Sequence, residues 1–123
     1  MIKQNSFVPY PEAMLPKGFK YPQSYLKLAQ STHAINYDEQ YSFPWLFENA
    51  ESNISEVIDI YFEITGIPNL LPFARNQEWA ACFDISDKSG NPKIIVVNLD
   101  NTKYYETFEN FDTWLKEAEN DGW

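Results

Sequence analysis

Nucleophilic chemistry in this sequence would have to run through Cys82, its only cysteine, with His33, its only histidine, as the base. A catalytic thiol needs such a base within hydrogen-bond reach and something to lower its pKa. Cys82 lies in LLPFARNQEWAACFDIS (70–86), between Ala81 and Phe83 in a run with strand character. Alternation places Ala80, Cys82 and Asp84 on one face of that strand, and Trp79, Ala81, Phe83 and Ile85 on the other. A reduced cysteine in such a position packs as a small apolar group. His33 falls in a polar stretch and reads as a solvated loop residue. Arg75, the single arginine, could clamp an anion, but among so many carboxylates it reads as an ion-pair partner.

Other chemistries lack their residues. One cysteine and one histidine are too few for a zinc site, and no Asp-rich loop has the spacing of a calcium site. The four glycines are isolated, so no phosphate-binding loop is present, and neither GxSxG nor HExxH occurs. Carboxylate pairs are plentiful, but an acidic protein supplies these by chance. The expectation is a chain without catalytic residues, metal or cofactor.

Charge says more about partners. The 123 residues hold 18 acids and nine bases, a net charge of −9. From residue 31 onward 17 acids face five bases, a balance of −12. Such a surface repels phosphate backbones and anionic lipid, which excludes direct nucleic-acid and membrane binding and makes a basic protein the natural complement. Solubility alone is the plainer use of that charge. MIKQNSFVPYP lacks the apolar core of a signal peptide, and no apolar run is long enough to span a bilayer. A single cysteine fits a reducing, cytoplasmic compartment.

The chain must position these residues with one core, since its length suits a single domain over 1–123. Aromatic residues make up 17%, so much of that core is rings. Pro9, Pro11 and Pro16 keep the opening segment, 1–18, extended. YPQSYLKLAQS predicts a helix with Tyr25, Leu26 and Ala29 inward, followed by a polar, turn-like stretch. YSFPWLF reads as an edge strand because of Pro44. ESNISEVIDIYFEITG predicts a helix capped by Ser52 or Asn53 and ended by Gly66, with Ile54, Val57, Ile58, Tyr61 and Phe62 buried. WAACFDI and KIIVVNL form a hairpin across SDKSGNP, and a last helix starts at Thr107 with Phe108, Phe111, Leu115 and Ala118 inward. The fold class is α+β, a small, mainly antiparallel sheet covered by helices.

Four segments, in order, resemble the SUKH superfamily over about residues 15–118. LPKGFKYPQSYLKLAQ is similar to its opening helix, and Leu71-Pro72-Phe73-Ala74 followed by Phe83-Asp84 resembles its signature turn and strand. KIIVVNLDN resembles the next strand, and Thr107, Phe108, Phe111 and Leu115 resemble the closing helix. One departure is Arg75-Asn76-Gln77-Glu78, where many members carry a Gly-Gly-Asp-like turn. The resemblance implies an α+β domain without catalytic residues. It also implies an immunity protein of bacterial type, which binds and neutralises the C-terminal domain of a toxin by stoichiometric occlusion. Such toxins are often nucleases with basic clefts, which agrees with the acidity. Eukaryotic relatives look like regulators of cell-wall signalling, so an adaptor with a non-toxin client stands as the alternative, and a Cys82 enzyme as a third reading. Charge and placement near strand ends or in the polar loop nominate Glu78, Trp79, Asp84, Asp87, Asp100, Asp38 and Glu39 for partner contact.

Overall fold

A computed structural model describes residues 2–3, 8–30, 36–37, 45–48 and 53–119. Its elements are β1 (Ile2–Lys3), a 3₁₀ turn (Glu12–Met14), α1 (Gln23–Gln30), β2 (Asn36–Tyr37), β3 (Leu46–Phe47) and α2 (Ile54–Thr65). There follow β4 (Leu70–Asn76), β5 (Trp79–Asp84), β6 (Ile94–Asn98), β7 (Tyr105–Phe108) and α3 (Phe111–Glu119). β1 pairs with β2, and the other five strands form one antiparallel sheet in the order β3-β4-β5-β6-β7. This is the α+β architecture expected.

Period-two alternation sorts the sheet into two packed layers. Ala81 and Phe83 join Phe73, Phe111 and Trp114 in a large aromatic cluster to which α1 adds Tyr25. Ala80 and Cys82 face the other way and join Leu70, Val97 and Tyr61 of α2. Rings carry the larger layer: Phe73 stacks on Phe83 at 4.4 Å, while Trp114 meets Phe73 at 5.0 Å and Trp45 at 5.3 Å, both edge to face. These are the offset and T-shaped arrangements that ring quadrupoles favour.

β4 is a correction to the sequence reading, which gave LLPFA to a turn. Pro72 argues against a central strand because it removes a ladder donor. Here the β4–β5 register shifts between Pro72 and Ala74, so a bulge absorbs the proline. The extra residue lets Leu71, Phe73 and Ala74 all reach the aromatic layer.

α2 follows its periodicity, with one exception. The Asn53 side chain accepts from the Ser55 N–H at 2.8 Å, and Gly66, at φ 75°, ends the helix by donating its N–H to the Phe62 carbonyl at 2.8 Å. Ile54 and Tyr61 are buried and Val57 and Ile58 half-buried, but Phe62 is 50% exposed, at the margin of the apolar arc.

The start of the last helix is also corrected. Tyr105–Phe108 is a strand pairing with β6, and Phe108 reaches the core from opposite Ile94. Asn110, not Thr107, caps α3: its side-chain oxygen accepts from the Thr113 N–H at 2.9 Å. Both residues are good cap types, and the Tyr-Glu-Thr-Phe alternation marks the strand before the helix.

Candidate functional site

Cys82 has no accessible surface. Burial pushes its thiol pKa up, the negative charge of Glu48 adds to this, and the Arg75 guanidinium opposes it more weakly. A thiol held protonated and shielded is not a nucleophile. Its sulfur lies 3.9 Å from the Ala80 carbonyl, the weak contact of a packed cysteine. His33 lies outside the described residues. Arg75 donates from Nη2 to the Gln77 carbonyl at 2.7 Å, closing the turn after β4, and also hydrogen-bonds Tyr61. It serves the β4–β5 corner rather than an open anion site. Among the described residues no group of His, Cys, Asp or Glu is arranged to hold a metal ion.

The acidic candidates divide between opposite ends of the sheet. Trp79 opens β5 and Asp84 closes it, five strand steps or about 17 Å away. At the Asp84 end the carboxylates are used locally. Asp84 accepts from the Ser86 N–H at 2.9 Å, and Asp87 accepts from the Ser89 and Lys93 N–H groups at 3.0 and 3.1 Å. The Ser89 side-chain hydrogen bond first, and then these two N–H bonds, hold the Asp87 carboxyl below its ordinary pKa against a smaller opposing effect of burial. Lys88 ties the same connection to the N-terminal segment through the Lys17 carbonyl at 2.9 Å. Asp84 and Asp87 shape the β5–β6 loop.

The other end is built differently. The Leu99 N–H donates to the Glu78 carbonyl at 2.7 Å, which locks the β4–β5 turn to the segment after β6. The Asn98 side chain accepts from the N–H groups of Asp100 and Asn101, both at 2.9 Å, and the Asn98 N–H donates to the Tyr104 carbonyl at 3.1 Å. This hydrogen-bonded corner gathers Glu78, Trp79, Asp100, Tyr104 and Tyr105. Glu78 and Trp79 are half-buried, Trp79 packing its ring on the aromatic cluster, while Asp100 is exposed. Tyr104 and Tyr105 are 61% and 57% exposed, and Glu106 beside them is exposed too. Asp38 and Glu39 lie outside the described residues.

The exposed tyrosines were missed by sequence reasoning, which placed them before a helix. Their signal is the alternating strand they begin, after the turn-forming Asp-Asn-Thr-Lys. A separate groove of about 530 Å3 opens beside the N-terminal segment, between Tyr10, Leu15, Lys20, Tyr21 and Leu26. The Tyr21 hydroxyl accepts from the Tyr10 N–H there at 3.3 Å.

The layered sheet and its acidic, tyrosine-bearing end define a small α+β domain whose one thiol is sealed in the core. Residues 12–117 match the model of the SMI1 / KNR4 family (SUKH-1), and the chain belongs to that family. It is a family of immunity and regulatory domains that typically bind partner proteins. No curated protein and no solved structure matches the chain. No helix among the described residues is long and apolar enough to cross a membrane.

Proposed function

We propose that this protein is an immunity protein that neutralises a bacterial toxin domain with a basic surface, such as a nuclease, by covering its active site in a stoichiometric complex. The observation that carries this reading is the acidic, aromatic end of the sheet on a domain of a partner-binding family. Glu78 and Asp100 supply charge there, and Tyr104, Tyr105 and Trp79 supply ring surface. Aromatic anchors ringed by polar groups provide most of the affinity in known interfaces, and complementary charge mainly raises the rate of encounter. Asp84 and Asp87 stand outside this surface.

The experiment is affinity capture of the protein from its native host at low and high salt, followed by assay of the captured partner's toxicity with and without the protein. The expected outcome is a near-stoichiometric toxin C-terminal domain, captured less efficiently as salt rises and inactive in the complex. Glu78→Lys with Asp100→Lys slows association at low salt by about tenfold in a folded protein. Capture of a housekeeping client with no toxin transfers the assignment to a regulatory adaptor.

A further inference from the structure

We infer that the outer edge of β7 is a docking site for an extended, basic strand of a partner protein, which joins the sheet as a further strand. The inference rests on the partner-binding reading above and places the contact on backbone groups.

The directions of those groups follow from two hydrogen bonds. The Leu99 N–H donates to Glu78 of the β5 side, so alternation turns Leu99, Val97 and Ile95 toward β5 and Asn98, Val96 and Ile94 toward β7. The residues opposite the latter are Tyr104, Glu106 and Phe108, and the Asn98 bond to the Tyr104 carbonyl agrees. The N–H and C=O groups of Tyr105 and Thr107 therefore point away from β6. β7 ends the sheet order, so among the described residues no strand takes them up.

Edge strands in monomeric proteins are commonly guarded by proline, lysine, a bulge or very short length. The opposite edge, β3, has only two residues. β7 has four, with no proline or lysine and an unshifted register with β6. Tyr105 and Thr107 share the sheet face of Val97 and Ile95, and Glu106 lies on the other face. Lys103 precedes the strand, but Glu106 lies within it and Glu109 and Asp112 follow it, all three acids exposed. An added strand meets Tyr105 on one face and the Glu106 carboxylate on the other, which fits alternating apolar and basic side chains. A second copy of this chain is disfavoured, because it brings another Glu106 and another net charge of −9.

The test uses the full chain and a short synthetic peptide of alternating lysine and valine, with the same peptide N-methylated along both edges as control. Amide hydrogen exchange is followed by NMR. The expected result is at least about tenfold slower exchange at Tyr105 and Thr107 with the parent peptide and no change with the N-methylated one. Thr107→Pro removes an outward donor without touching the β6 ladder, so it abolishes this protection, and Glu106→Lys weakens binding. Equal binding of the two peptides, or parent-peptide binding without protection at Tyr105 and Thr107, overturns the inference, as does no binding. A captured toxin still neutralised by folded Thr107→Pro removes the edge and leaves the immunity reading standing. Loss of the immunity reading alone leaves the peptide result unchanged.

Discussion

Cys82 combines the most reactive side-chain chemistry in the chain with no access to solvent. Its neighbours on the smaller layer are Leu70, Ala80, Val97 and Tyr61, which stabilise the protonated, uncharged thiol by excluding water. The native protein at neutral pH is therefore expected to resist a water-soluble thiol reagent and to react once per chain in denaturant. Cys82→Ala deletes one buried heavy atom and costs about 1 kcal/mol, with partner binding unchanged. Labelling of the folded protein at the rate of a free thiol would contradict this burial. Loss of partner binding in folded Cys82→Ala would restore a functional role for the sulfur. Asp87 makes the same point for charge: its carboxylate oxygens are held by the Ser89 and Lys93 N–H groups, so an acid prominent in the sequence is engaged in shaping a loop.

Elements fail to read from sequence where one residue type has two uses. Thr107 and Asn110 can each cap a helix, and only the pairing of Tyr105–Phe108 with β6 decides between them. Asn110→Ala should cost about 1 kcal/mol through the lost α3 cap, whereas Thr107→Ala, on an exposed strand position, should cost far less. Thermal or urea unfolding of the two variants checks the order, and a larger loss for Thr107→Ala would return the helix start to the earlier position. The layers of β5 were legible because alternation needs no partner to be seen: Phe83 and Cys82 fall on the sides assigned to them. β4 was not, because Pro72 is tolerated only through a bulge that the β4–β5 pairing creates. The acids of the candidate site were legible as residues, but their grouping was not. Asp84 and Trp79 lie five residues apart in sequence, and the extended strand sends them to opposite ends of the sheet.

At the scale of the molecule, the aromatic core ties stability to alkaline pH. Burial pushes the phenols of Tyr21 and Tyr61 from 10.0 up to about 12, and raises Tyr25 further. For Tyr61 the charge of Glu48 assists, and Arg75 opposes through its charge and its hydrogen bond. For Tyr21 the Tyr10 N–H hydrogen bond opposes burial. A folded pKa above the unfolded value means that the neutral phenol's contribution is complete below pH 10. It falls as pH rises from 10 through about 12, because the unfolded chain releases these protons first. The two phenols together are worth on the order of a few kcal/mol, a large share of the stability of a domain this size. Tyr21 and Tyr25 lie 4.8 Å apart and Tyr25 stands 5.0 Å from Phe83, so an ionised ring cannot leave this layer without opening it. The phenolate absorbance of Tyr21, Tyr25 and Tyr61 should therefore appear only together with loss of the native circular dichroism above pH 10. Complete titration of all tyrosines with the native spectrum intact would contradict the packing of Tyr21, Tyr25 and Tyr61.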